Sequence, residues 1–433
     1  MESGARSAAA KVARVAGATG AGIGIASVAG SLSAGAYLAR LLLTPERDRP
    51  EEQEIVEVDA ATITLRADEE TVVPGRYGLW FDQGQGHLRL GEIIDLDADA
   101  HVGASAPPGR GDMSAGAAPE SAEATRRVLL RRREEPPVAT VTRRLEGVDL
   151  GIPRPGPARW DGYLYSGDPQ EALGLATRHV VVRSDIGDLP AWLVPGAGDT
   201  RGGRGSRWAV LVHGRGATRH ECLRAVPTLH RMGLTSLVPT YRNDVEGPPS
   251  PDGLYNLGLS EWRDTQAAIA YAIEQGATDI VLCGWSMGGA IVLQTLDLSP
   301  LSRHVSLAVL DSPVIDWGDV IAHHARLRKV PAPLARLAQG LIGARWSRRL
   351  VGVHEPLDVA RTDWQHRADE LSHRTLLIHS ADDEFVPVGP SRILARRRPD
   401  LVRYEEWTVA RHVKEWNVDP TRWERVVTDA LAR

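Results

Sequence analysis

At 433 residues the chain is too long for one small domain and has room for two or three units. Its 51 basic and 56 acidic residues nearly cancel to a net charge of −5, which offers no case for a nucleic-acid-binding surface. Two cysteines, Cys222 and Cys283, exclude a disulfide framework, while 42% apolar residues are ample for a core. Only three of the basic residues are lysines, and with the richness in Ala, Gly and Arg this suggests a GC-rich bacterial genome.

Taken in order, the chain begins with an uncharged run from Val15 to Ala39, with Lys11 and Arg14 before it and Arg40 after it. The run is about the length of a bilayer span, although it is made mostly of Gly, Ala and Ser. The leading expectation for residues 1–49 is a single-pass transmembrane anchor followed by a linker, ahead of a cleaved secretory signal or a soluble tail. Basic residues on both flanks leave its orientation open.

Residues 50–155 read as a small β-rich accessory domain. Ile55-Val56-Glu57-Val58, Thr62-Ile63-Thr64-Leu65 and Tyr77-Gly78-Leu79-Trp80-Phe81 are short apolar alternations separated by turn residues. A stretch rich in Ala, Gly, Ser and Pro, 103–123, predicts a disordered excursion. It contains Arg110-Gly111-Asp112, best read as a chance tripeptide. Nothing in this region names a ligand.

From residue 156 to 433 the pattern changes. His179–Val182 and Ala191–Val194 predict an antiparallel hairpin. Apolar strands then alternate with helical patterns: Trp208–Val212, a helix over His220–Met232, Leu234–Val238, a helix from Ser260 to Gln275, Ile280–Cys283, and later His304–Leu310, Thr375–Ile378 and Arg403–Trp407. Asp419-Pro420 predicts a capped terminal helix. This rhythm predicts an α/β fold with a mainly parallel sheet covered by helices on both faces. Between the strands ending at Asp311 and starting at Thr375 lies a helical insertion, about 314–372, read as a lid over the strand ends.

Four motifs carry chemistry. The first is His213-Gly214-Arg215-Gly216, directly after a strand. The second is Gly284-Trp285-Ser286-Met287-Gly288, between a buried strand and a helix. A serine at such a turn sits in a strained backbone, and the flanking glycines leave room for neighbouring main chain. The third is His379-Ser380-Ala381-Asp382-Asp383-Glu384-Phe385-Val386-Pro387, and the fourth is Ala410-Arg411-His412-Val413 after the last strand. In this order they resemble the α/β-hydrolase family of serine hydrolases, over more than half of the chain.

The resemblance implies a nucleophile elbow with Ser286 as nucleophile, His412 as base and Asp383 as the acid. Asp382 is the nearest competitor for the acid, and Asp311 a more remote one. It also implies an oxyanion hole from the N–H groups of Met287 and Arg215, with Gly216 as the alternative to Arg215. Arg411 stands where the family usually has glycine, and Ser380 replaces another. His213 is read as a brace, Arg242 as a partner of Asp264, Trp285 as packing, Cys283 as a buried thiol, and His323-His324 as a polar helix face.

No spacing indicates a metal site and no dinucleotide fingerprint follows a strand, so no metal and no cofactor are expected. The expected partner is a small-molecule ester or peptide substrate, with no nucleic acid and with membrane association through residues 15–39. The leading expectation is an ester-cleaving enzyme. A peptidase of the prolyl-oligopeptidase or serine-aminopeptidase type and a catalytically idle binding protein are the rivals.

Overall fold

The computed structural model describes residues 32–47, 49–97, 139–199 and 206–432. The excursion at 103–123 and its Arg-Gly-Asp tripeptide lie outside them. The chain divides into two compact units, one of Met1–Asp48 with Tyr165–Arg433 and the other of Arg49–Leu164. The smaller unit is therefore an insertion into the larger.

The smaller unit is a closed barrel of β1 (Gln53–Val58), β2 (Thr62–Arg66), β3 (Tyr77–Phe81), β4 (Gly86–Leu96), β5 (Thr140–Leu150) and β6 (Gly156–Asp161), in the order β1-β2-β5-β4-β3-β6. Every neighbour is antiparallel. Alternate residues point inward, so Ile55, Ile63, Leu65, Leu79 and Leu88 form its core. A boundary at residue 155 misses β6, whose approach through Pro153, Pro155 and Pro157 reads as a linker. The strand nonetheless closes the barrel, pairing Ile55 with Gly156 and Leu79 with Trp160.

The larger unit is built on an eight-stranded sheet. Its strands are β7 (Arg178–Ser184), β8 (Gly187–Val194), β9 (Arg207–Val212), β10 (Thr235–Pro239), β11 (Asp279–Trp285), β12 (Val305–Asp311), β13 (Thr375–Ser380) and β14 (Val402–Trp407). Their order is β14-β13-β12-β11-β9-β10-β8-β7, parallel from β14 to β10, with the β7–β8 hairpin antiparallel at the edge. Helices cover both faces, so the central strands read as unbroken apolar runs, and Trp208 to Val212 are all buried.

Several expectations need correction. Residues 32–43, the end of the expected membrane span and beyond, form a helix whose Ala36, Ala39 and Leu43 belong to the core of the larger unit. Gly35 lies against Leu337 and Leu341, and the Leu43 carbonyl accepts the Tyr255 N–H at 2.8 Å. Small residues let this helix pack closely on protein, which explains the Gly and Ala richness here without lipid. The rest of the span, 15–31, lies outside the described residues. Among the described residues, no helix is long and apolar enough to cross a membrane. The helix expected over 220–232 is a 3-10 turn, Arg219–Arg224, followed by a short helix, Val226–Arg231, with Pro227 in its first turn.

Between β12 and β13 stand the helices Trp317–Leu327, Ala332–Gly343 and Arg348–Val351, then 3-10 turns at Val359–Thr362 and Ala368–Glu370.

Candidate active site

β11 ends at Trp285 and the helix Met287–Leu298 begins two residues later. Ser286, between them, has φ 50° and ψ −116°. That conformation is costly for a residue with a Cβ and persists only when its surroundings enforce it. Here the Ser286 N–H donates to the Asp311 carbonyl at 3.0 Å, and its own carbonyl accepts from Val314 at 3.1 Å. The flanking glycines are sterically required. A Cβ on Gly284 would lie 2.6 Å from the Gly288 carbonyl oxygen, and one on Gly288 would overlap that of Val212.

The C-terminal ends of β13 and β14 deliver the other groups. The His412 Nε2 lies 2.9 Å from Ser286 Oγ, and its Nδ1 lies 2.7 Å from Asp383 Oδ2. The second Asp383 oxygen accepts the N–H groups of Phe385 at 2.9 Å and Val386 at 2.8 Å. His379 Nε2 stands 3.1 Å from Asp383 Oδ2, and its Nδ1 meets Ser391 Oγ at 2.8 Å. Burial opposes the ionisation of Asp383, but the charge of His412 and the hydrogen bonds of His379 and His412 outweigh it. The carboxyl is held far below the usual range. Burial pushes His412 down, but the adjacent Asp383 charge and hydrogen bond win and raise its pKa above 6.5, with Glu384 and Glu221 adding to the effect.

Asp382 points elsewhere. Its Oδ1 accepts the N–H groups of Ala410 at 3.1 Å and Arg411 at 2.9 Å, so it holds the backbone before His412. Arg411 and Val413 both have positive φ, at 59° and 57°. The Arg411 guanidinium meets Glu384 at 3.1 Å, linking the loop after β14 to the loop after β13. Asp311 does not approach the histidine. Its Oδ2 accepts the Trp423 indole N–H at 2.7 Å, and its carboxyl faces that of Glu415. Burial, reinforced by Asp311, pushes Glu415 well above the usual carboxyl range.

The loop after β9 is braced from below. Buried His213 meets Asp244 at 2.8 Å and stacks on Tyr241, whose hydroxyl donates to the Gly214 carbonyl at 2.9 Å. The Gly214 N–H donates to buried Glu221 at 2.6 Å. A Cβ on Gly214 would stand 3.1 Å from that of Ser286, so this loop passes directly beside the serine. The Gly216 N–H hydrogen-bonds the Tyr255 phenol oxygen. The Arg215 guanidinium reaches away, to Glu46 at 3.0 Å and the Thr44 carbonyl at 2.9 Å. Met287 opens its helix, where an N–H has no acceptor within the helix.

Arg242 clasps Asp264 through two bonds, at 2.8 and 2.9 Å, and Trp285 and Cys283 are buried; burial pushes the Cys283 thiol up to about 12. The adjacent His323 and His324 are not a free polar face. Their Nε2 atoms meet the carbonyls of Glu384 at 2.8 Å and Phe385 at 2.9 Å, tying the helix Trp317–Leu327 to the loop that carries Asp383. Glu221 and Tyr255 are missed by sequence reasoning, since nothing local marks a glutamate in a helical turn as a backbone acceptor. Among the described residues no cluster of His, Cys, Asp or Glu is set to hold a metal.

Comparison with known proteins covers both units. A family model described only as a domain of unknown function matches residues 54–103, a range that takes in β2, β3 and β4 and most of β1. No curated protein matches the chain. An esterase from Pyrococcus furiosus is 19% identical, covering 62% of this chain and 94% of its own, with a TM-score of 0.46. An acylaminoacyl peptidase from Pyrococcus horikoshii is 16% identical, covering 60% of this chain and 41% of its own, at a TM-score of 0.43. An esterase from Exiguobacterium antarcticum is 14% identical, covering 59% of this chain and all of its own, at 0.42. The model of the alpha/beta hydrolase family matches residues 209–429, just over half of the chain, and the chain belongs to that family.

Proposed function

We propose that the chain is a serine hydrolase that cleaves carboxylic esters through an acyl-enzyme on Ser286. The observation that carries this reading is the unbroken line from Ser286 Oγ to His412 Nε2 at 2.9 Å and from His412 Nδ1 to Asp383 Oδ2 at 2.7 Å. A serine hydroxyl is a weak nucleophile at neutral pH and needs a base within this reach. As Oγ attacks the ester carbonyl, His412 takes its proton, and Asp383 holds the imidazole tautomer and stabilises the imidazolium.

The developing oxyanion is assigned to the N–H groups of Met287 and Arg215. The engagement of Gly216 by Tyr255 favours Arg215 as the second donor. Collapse of the tetrahedral intermediate expels the alkoxide, which leaves as the alcohol with the proton from His412. Water then attacks the acyl carbonyl, gives its proton to His412, and releases the acid as Ser286 recovers its hydrogen. Esters are the assigned class because an alkoxide leaves with less help from a general acid than an amine, and this set of groups suffices for it. The helical insertion serves as the lid, its position set by the bonds of His323 and His324 to the acid loop.

The test is covalent labelling by a fluorophosphonate alongside turnover of matched p-nitrophenyl esters and p-nitroanilides. Labelling abolished by Ser286→Ala, slowed by His412→Ala, and turnover of the ester over the anilide are expected. A folded wild-type protein that takes no label would sink the acyl-enzyme, and faster anilide cleavage would transfer the assignment to a peptidase.

A further inference from the structure

The middle of the insertion between β12 and β13, flanked by Asp319 and Glu355, is a one-sign stretch. Residues 320–354 carry seven Lys or Arg and no Asp or Glu, in a chain of net charge −5. All seven are exposed, and none makes a side-chain hydrogen bond or ion pair with any described residue. Surface arginines elsewhere in the larger unit commonly pair with carboxylates, as Arg392 does with Glu406 and Arg397 with Asp369. Unneutralised charge at this density repels itself and weakens the compact state, so it calls for a function outside packing.

The same surface exposes large apolar side chains. Trp346 is 68% exposed and Leu350 46%, interleaved with Arg345, Arg348 and Arg349. The helix 32–43 lies alongside. Its Arg40 donates to the Val351 carbonyl at 3.4 Å and touches Gly352, and its outer face presents Tyr37 at 69% and Leu41 at 43% exposure. A cleft of about 300 Å³ opens between Arg348, Arg349 and His354 on one side and Pro251 and Asp252 on the other. Asp252 is held as a carboxylate there by the His354 N–H at 2.9 Å and Ser250 Oγ at 2.6 Å, one negative charge against the two of Arg348 and Arg349.

We infer that the outer face of the lid, together with the helix 32–43, is a docking surface for a bilayer with anionic headgroups. Arginines alternating with an exposed indole and leucines match the interfacial zone, where the guanidinium heads meet phosphates and the apolar side chains enter the acyl boundary. Nucleic acid would engage the same charge but has no use for exposed leucines. In the sequence, the uncharged stretch 15–31 immediately precedes this helix. The inference stands apart from the assignment of the nucleophile, because the surface shares no residue with it.

Sedimentation of the full chain with vesicles tests it, comparing phosphatidylcholine alone with phosphatidylcholine containing about 30 mol% phosphatidylserine. Wild-type protein binds the anionic vesicles, more weakly as salt rises, and binds neutral ones poorly. The triple variant Arg345→Gln, Arg348→Gln, Arg349→Gln loses about 100-fold in partitioning, roughly fivefold for each charge. Trp346→Ala with Leu350→Ala also weakens binding but keeps its salt dependence. No variant melts below the wild type, the triple variant melts at or above it as self-repulsion is relieved, and all retain hydrolysis of a soluble ester. Equal wild-type binding to both vesicle types, or triple-variant binding at the wild-type level, overturns the inference. So does duplex DNA bound as tightly as anionic vesicles with no effect of Trp346→Ala, which would make the surface one for nucleic acid.

Discussion

Asp382 and Asp383 are neighbours in the chain yet hold different parts of one loop: Asp383 bonds the His412 imidazole at 2.7 Å, and Asp382 accepts the amides of Ala410 and Arg411 just before it. The two asparagine variants are therefore unequal. Asp383→Asn leaves the imidazole with an amide that favours the wrong tautomer, and kcat falls about 10⁴-fold. Asp382→Asn weakens a backbone tether and lowers kcat about 10-fold, since it costs roughly one charge-assisted hydrogen bond. Steady-state kinetics on both variants checks the ordering, and equal losses would return the acid to an open question.

The raised pKa of His412 sets a pH limb. A base must be unprotonated to accept the serine proton, so kcat/KM rises with pH and levels off above the ordinary histidine value of 6.5. Removing the Asp383 charge removes the main cause of the upward shift, so residual activity of Asp383→Asn titrates at lower pH. The stability linkage has the opposite sense. A histidine that holds its proton more tightly when folded stabilises the fold at low pH, and this contribution fades as pH rises through the folded pKa. A pH–rate profile for the two proteins measures the shift; superimposable limbs would show that another group is being titrated.

Gly288→Ala is expected to damage the fold as well as the site. Its new Cβ would overlap the Val212 carbonyl of β9, a main-chain atom in the centre of the sheet that cannot swing aside. A loss of about 3 kcal/mol is expected, the upper end for overpacking. Chemical denaturation of Gly288→Ala beside Gly340→Ala provides the contrast, because a Cβ on Gly340 meets nothing within 4 Å.

Arg411 bears a positive φ in exchange for an ion pair with Glu384. Replacing it with glycine relieves about 1 kcal/mol of backbone strain and removes a partly exposed pair of similar size, so net stability moves by less than about 1 kcal/mol. Glu384→Gln keeps the strain and loses the pair, so it destabilises. Thermal melts that put both variants on the same side of wild type by equal amounts would dismiss this trade.

The strand–serine–helix turn and the loops after β13 and β14 are legible because their chemistry is packed into a few consecutive residues. The central strands are legible because burial on both faces demands continuous apolar runs. What escapes is long-range. Glu221 under Gly214 and Tyr255 against Gly216 rest on tertiary contacts that no local spacing encodes. His323 and His324 both reach one loop because that loop offers two successive carbonyls, which helix periodicity alone does not anticipate. The helix 32–43 misleads for a physical reason, since small residues that permit close packing in a membrane permit it equally against Leu337 and Leu341.

The barrel's insertion into the larger unit bears on chain entropy. Its first and last strands pair with each other, Gln53 opposite Ala158 and Ile55 opposite Gly156, so once folded its two ends are pinned together. To the surrounding unit the folded barrel then imposes the closure penalty of a short loop, far less than that of a flexible connection of the same residue count. A barrel that folds first would make it cheap for the helix 32–43 to reach its place against Leu337, Leu341 and Tyr255, and excising the barrel for a brief linker should leave that helix able to dock.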